Sequence, residues 1–320
     1  MAGAAAAGRR VANTASSRKA RRPAGLSPIW GRVRDERGAA DRLARVDEPG
    51  PAWGLARLAA GAANVELRAL STLDQFDDAI EIMAATWGRF QLPPREVITA
   101  LAHSGNVPLG AYDEKRLVGF VLGWAGVDEG GLHVHSHMLA ALPDRRHRGV
   151  GYALKLGQRA QALGQGIHMA RWTFDPLVAR NAWFNLGKLG AVADRFGRAF
   201  YGEMTDEINR GDRTDRLMIR WDLDPDPVPR SVPAGLPTML AAEGDPEAPV
   251  PVQGSAPSSE GGVIEVPREH AQLRQRDADL ASRWRDAVAE ALEGSLGAGL
   301  IVGAFDRDRS GYVMVPDATP

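Results

Sequence analysis

The chain has 320 residues, 44% of them hydrophobic and 25% charged, with a formal net charge of −1. That is an ordinary globular composition, with no overall electrostatic bias towards nucleic acid or membrane. It contains no cysteine, which excludes disulfides, thiolate catalysis and cysteine metal sites, and it suits a reducing cytosol, so a cytoplasmic protein is expected.

No uninterrupted apolar run approaches the ~20 residues that span a bilayer, and no membrane partner is expected. Residues 1–62 read as a disordered basic tail rich in Ala and Arg, opening MAGAAAAGRRVANTASSRKARRPAG. Its alanines precede its arginines and there is no apolar core of signal-peptide type. A transit peptide, or an extension upstream of the true start, has the same composition. No aromatic is interleaved with the arginines of that opening for base stacking, so a nucleic-acid partner is disfavoured. From Val65 the pattern alternates to Leu70, a first strand. Thr72 and Gln75 form a capping box for a helix bearing Leu73, Phe76, Ile80, Met83 and Trp87. Pro93-Pro94 opens a second helix, Arg95 to His103, stopped by Gly105-Asn106. Val107–Tyr112 and Leu117–Trp124 are hairpin strands around Asp113-Glu114-Lys115-Arg116.

Leu132 to Leu142 is the central strand. His133, His135 and His137 alternate with Val134, Ser136 and Met138, which places each set on one face. Pro143-Asp144 ends the strand. After Arg145, Arg146, His147 and Arg148 come Gly149, Val150 and Gly151, and from Val150 the apolar period becomes helical through Leu163. The first amides of a helix lack partners and sit at the positive end of its dipole. Glycines there let an anion approach the backbone. A strand–helix turn with a solvated basic surface is the plainer alternative. The turn is neither a Walker loop nor a dinucleotide fingerprint, because Tyr152 follows Gly151 and Leu154 stands where a third glycine is needed.

Downstream, Ile167–Phe174 is a strand ended by Asp175-Pro176, and the intervening helix implies a right-handed crossover to a parallel neighbour. Ala179–Leu189 is a short helix closed by Gly190, and Val192–Tyr201 and Leu217–Leu223 are further strands. Residues 224–262 are Pro/Gly/Ser-rich and read as a linker. Residues 263–320 read as a small module of strand, helix (Leu273, Leu280, Trp284, Val288 and Leu292 on one face) and hairpin. Too small for a robust core of its own, it is expected to dock on the main sheet.

Arg146, Gly149 and Gly151 fill (Q/R)-x-x-G-x-(G/A), and the turn resembles the pyrophosphate loop of the GNAT superfamily of acyl-CoA-dependent N-acyltransferases. The resemblance spans about Val65 to Leu223 and extends to the phrases SHMLAALP, WTFDP, NAWFNLGKLGA and FYG. It implies an α/β (α+β) GNAT fold in residues 63–223. That fold is a mixed, mostly antiparallel sheet flanked by helices, with one splayed pair of parallel strands whose gap admits acetyl-CoA or another acyl-CoA. It also implies that Arg146, His147, Arg148, Gly149, Val150 and Gly151 hold the pyrophosphate, that Leu139 to Ala141 hydrogen-bond the pantetheine arm and acyl oxygen, and that Asn181 and Phe184 contact the same arm. The superfamily often places a tyrosine in the short helix; Leu186 stands near that position, and Tyr201 is the substitute acid.

Acyl transfer needs a polarised carbonyl, a base for the ammonium and an acid for the thiolate. His137 and His135 are the base candidates, since an imidazole titrates near neutrality; hydrogen-bonded packing is the rival reading for each. A metal on the three histidines is not expected, because no carboxylate shares their face. Arg213, Arg216 and Arg220 lie near the last main strand, and Arg216 is the candidate for pairing with a substrate carboxylate. The expected reaction is direct attack of a primary amine, a small molecule or amino acid, on the acyl group. The alternative is a non-catalytic acyl-CoA-binding regulatory protein, and a homodimer is open.

Overall fold

Apolar periodicity and capping chemistry account for the elements in order. The computed structural model describes residues 50–89, 92–146, 148–204 and 210–317. Helix α1, Pro51–Ala62, starts with proline at its first turn and buries Trp53, Ala56 and Ala60. Strand β1 is Glu66–Ala69. Helix α2, Leu73–Trp87, carries the expected capping box, with Thr72 Oγ1 accepting from Gln75 N and Gln75 Oε1 accepting from Thr72 N. Such a cap contributes about 1 kcal/mol. Helix α3 is Arg95–His103, and β2 (Leu109–Asp113) and β3 (Arg116–Asp128) form the hairpin, turning at Glu114 with φ +53.

Strand β4 is Gly131–Ala141, helix α4 Val150–Gly164 and strand β5 Met169–Phe174. Helix α5, Ala179–Ala182, runs into a π-helix, Trp183–Lys188. There Gly187 lies under the Trp183 indole, so close that a Cβ would meet the ring at 2.2 Å. Strands β6 (Val192–Gly197) and β7 (Arg216–Asp222) follow. Beyond them are β8 (Thr238–Glu243), β9 (Val250–Gln253), β10 (Gly262–Glu265), α6 (His270–Arg276), α7 (Ala278–Gly297), β11 (Leu300–Asp306) and β12 (Gly311–Pro316).

The twelve strands of the described residues join one sheet, in the order β1-β2-β3-β4-β5-β7-β6-β11-β12-β10-β8-β9. The parallel neighbours are β4 with β5 and β8 with β10. The mixed sheet with flanking helices has the expected fold class. Helices α2 and α3 cover one face of β2–β4 through Phe76, Ile82, Met83 and Ile98, and α4 covers the other through Leu154 and Leu156. Gly157 lets α4 lie close to the sheet, since a Cβ there would meet Leu109 at 2.9 Å and Leu67 at 3.0 Å.

Four sequence expectations need correction. The tail does not run to residue 62, because α1 packs Trp53 against α4. An aromatic of this kind buries about 150–250 Å², roughly 4–6 kcal/mol of gross burial at ~25 cal/mol per Å². Residues 224–262 are not a bare linker: β8 buries Met239 and Leu240, and β9 holds Pro251 on the sheet edge, where a missing N–H is tolerated. The strand after Val192 stops at Gly197, because Ala199 turns the chain with φ +46. The long C-terminal helix is two, broken at Asp277, which caps α7 by accepting from Leu280 N.

The C-terminal module docks on the sheet as expected. Strand β11 meets β6 at Val302↔Ala193. Arg285 forms a bidentate pair with Asp175 at 2.6 and 3.0 Å and also binds Asp212. Tyr312 donates to Pro176 O at 2.6 Å.

Candidate active site

The site begins where β4 and β5 separate. They pair only at Val134↔Ala170 and His135↔Arg171. Beyond that point the β5-facing edge of Ser136–Ala141 has no strand partner among the described residues, so its amides and carbonyls face a gap between two parallel strands. The expected splay is present.

The gap's open end is closed by the basic turn. Pro143–Arg145 form one 3₁₀ turn, and Gly149 then caps α4 with φ +87, a left-handed conformation that favours glycine. Gly151 faces Leu139 and Phe184, with only 3.7 and 3.9 Å between a built Cβ and those side chains. Val150 is buried, so it offers only its backbone. Arg145 is tied to Asp113. Arg146 and Arg148 are exposed, and neither has an ion-pair partner among the described residues. His147 lies outside the described residues. Leading amides, a left-handed glycine and two open guanidiniums are the groups that an anion would require here.

Strand β4 is not regular. Leu122 pairs with Met138 and Gly123 with Ser136, leaving His137 as the extra residue of a β-bulge. The strict alternation read from the sequence is therefore wrong across this point. Val134 packs with the cluster around Trp172, while Met138 joins Phe120 and Leu122 beneath α2 and α3, and Leu139 turns towards α4.

His135 and His137 are brought together. Their ring centroids are 5.9 Å apart, and both lie against Trp124, at 5.2 and 4.9 Å. Burial, then repulsion from His137, His133 and Lys155, lowers the His135 pKa to about 4. Burial among these rings also lowers that of His137, although its side chain still reaches solvent. Both imidazoles are therefore neutral at pH 7. His133 is apart, buried over Gly126 and 3.7 Å from Asp128.

Tyr201 sits on the turn after β6, 41% exposed, with its hydroxyl 3.2 Å from Thr173 Oγ1 on β5. Arg216 is beneath it, its guanidinium 5.3 Å from the ring centroid. Arg216 is buried and donates to Asp215 O, so it supports Tyr201 and is not an open carboxylate receptor, contrary to the sequence reading. Arg213 pairs with Asp215 and Asp286, and Arg220 with Asp317 and Asp194. Asn181 is exposed at the start of α5 and Phe184 is half-buried beside Gly151. Two residues were missed from the sequence. Asn185 is buried and accepts from Trp172 Nε1–H at 3.2 Å, locking the π-helix to β5. Trp124 lies against both imidazoles and stands opposite His135 in the β3–β4 pairing, a register that the sequence alone does not give.

A separate hollow of about 590 Å³ lies between Trp183, Arg230, Pro233 and the β11–β12 turn. It does not include the histidines.

No protein-family model and no curated protein matches this chain. Solved structures do. An aminoglycoside acetyltransferase from an uncultured soil metagenomic sample, in complex with sisomicin, is 18% identical over 35% of this chain and 78% of its own, with a TM-score of 0.32. The ribosomal-protein-S18-alanine N-acetyltransferase of Escherichia coli is 15% identical over 50% and 94%, with a TM-score of 0.41. A NatC complex bound to Gag peptide and CoA is 13% identical over 50% and 98%, with a TM-score of 0.42. Among the described residues no helix is long and apolar enough to cross a membrane.

Proposed function

We propose that this chain, whose residues Glu66–Asp222 have the GNAT fold, moves an acetyl or related acyl group from acyl-CoA to a primary amine. The observation that carries the reading is the β4–β5 pair. It holds for two residues, then opens a gap whose far end meets the left-handed Gly149 and the N-terminus of α4.

The donor's pyrophosphate lies on the leading amides of α4 at Gly149, Val150 and Gly151, with Arg146 and Arg148 neutralising it. His147 belongs to the same turn. The pantetheine arm takes the place of a missing strand partner, exchanging hydrogen bonds with Leu139 to Ala141 and lying against Asn181 and Phe184. Oriented amides at the bulge polarise the acyl carbonyl. The acceptor is a small amine or an amino acid. It enters from the face bearing Trp124, His135 and His137, and attacks directly. His137 removes the ammonium proton, because it is the more open imidazole. His135, with its pKa of about 4, is a weaker base and orients its neighbour. Tyr201, fixed by Thr173 and Arg216, protonates the leaving thiolate.

Leu186, fully buried where the resemblance expects a tyrosine, favours the second reading, an acyl-CoA-binding regulator without turnover. The deciding experiment is CoA-thiol release from acetyl-CoA across a panel of small amines and amino acids. Amine-dependent release supports transfer. Binding of acyl-CoA with no release for any amine supports the regulator.

A further inference from the structure

Lys155 of α4 is 2% exposed and has no carboxylate partner among the described residues. Its Nζ donates to Ser136 Oγ at 2.9 Å and to Gln158 Oε1 at 3.3 Å, and it stands 3.5 Å from the centroid of the Trp172 ring. An ammonium removed from water with no counter-ion is strongly disfavoured. Methionine or leucine would fill this place in the core at lower cost. A lysine kept here therefore asks for a ligand.

Its position says which one. Ser136 and Trp172 are the residues immediately beyond the last β4–β5 pair, His135↔Arg171. Nζ thus stands at the apex of the gap, on the α4 side. Lys155 is four residues after Gly151, so the two share a helix face, one turn apart. Gly151 looks at Leu139 and Phe184; Lys155 looks at Ser136 and Trp172. One face of α4 therefore lines the gap from the phosphate turn to its apex. The histidines belong to the opposite face of β4, where the amine enters. A donor anchored by its phosphates at the turn extends its acyl tail towards the apex.

We propose that the acyl donor carries a terminal carboxylate, as malonyl and succinyl thioesters do, and that this carboxylate pairs with Lys155 where β4 and β5 part. The inference rests on the acyl-CoA reading and names its donor class. The ligand supplies the counter-ion that the fold omits, while the Ser136 hydroxyl and Gln158 amide complete the ammonium's bonding. Burial pushes the free lysine's pKa well below its usual value, and a carboxylate beside it opposes that depression. The titratable neighbour on β4 is His135, with a pKa of about 4; β5 and β7 present the indoles of Trp172 and Trp221.

The test is calorimetric titration of the full chain at pH 8 with CoA, acetyl-CoA, malonyl-CoA and succinyl-CoA. His135 stays neutral at that pH. The expected result is at least about tenfold tighter binding of one carboxylated donor than of acetyl-CoA. In Lys155→Met the preference should disappear. Equal affinities overturn the inference and leave the acyl-CoA reading standing, as does a preference that survives in Lys155→Met. Failure of every CoA species to bind overturns both. If Lys155→Met does not fold, Lys155→Gln, which keeps a polar head of similar length, takes its place with the same two outcomes.

Discussion

Gly149 offers a way to separate backbone strain from charge at the proposed phosphate turn. It holds φ +87 at the N-terminus of α4, and a Cβ there would have one close neighbour, Ala63 Cβ, at 3.5 Å, which is an ordinary contact. Gly149→Ala therefore suffers conformational strain without a clash, about 1–2 kcal/mol. Gly149→Glu carries the same strain and adds a carboxylate beside the bound pyrophosphate. Two unit charges about 5 Å apart at an effective dielectric of ~20–40 repel by roughly 1.5–3 kcal/mol. That corresponds to about 10–150-fold in the dissociation constant. Urea denaturation should give the two variants similar losses of stability. Calorimetric titration with CoA should then show Gly149→Glu binding at least about tenfold more weakly than Gly149→Ala, with the gap narrowing at high salt. Equal CoA affinity in the two variants would refute the placement of an anion at this turn.

His137→Ala should spare CoA binding and slow amine-dependent thiol release by about 10²–10⁴-fold; wild-type turnover across pH would remove His137 from the base role. His135 has a folded pKa of about 4 against an unfolded value of about 6.5. Its contribution to stability is thus complete above pH 6.5 and is lost as pH falls towards 4, by at most about 3 kcal/mol. Urea unfolding of wild type and His135→Gln at pH 7.5 and 4.5 should show a smaller acid loss in the variant; parallel losses would count against the buried neutral imidazole. Trp53→Ala should destabilise the fold by about 3–5 kcal/mol, measured by denaturation; an unchanged midpoint would mean that α1 does not pack on α4.

The sequence exposed some of this architecture and hid the rest for physical reasons. The left-handed turn before α4 was legible because Gly149 is a conformational requirement, and Arg146 and Arg148 are exposed there as their charge suggests. The capping box at Thr72 and Gln75 and the hairpin at Glu114 were legible because their signals are local. The bulge at His137 was not: residues 132–138 alternate without a break, and only pairing with β3 reveals one residue too many. Helix α1 was hidden because its buried stripe is largely alanine, which periodicity scores weakly. Tyr201 looked like a strand residue because nothing in FYG announces the left-handed Ala199 before it. Lys155 sits at a helical position that sequence alone would assign to solvent; its burial depends on Trp172 and Trp221, which reach it from β5 and β7. The ion pairs from Arg285 to Asp175 and Asp212 join residues far apart in sequence and likewise needed the fold.

The central claim is that the gap between β4 and β5, closed by the Arg146–Gly151 turn, receives acyl-CoA. The most direct measurement is titration of the wild-type chain with CoA, followed by amide chemical-shift changes. Saturable binding is predicted, with the largest shifts at Leu139, Ala141, Gly149, Val150 and Gly151. Shifts confined elsewhere, or no binding at millimolar CoA, would contradict the account.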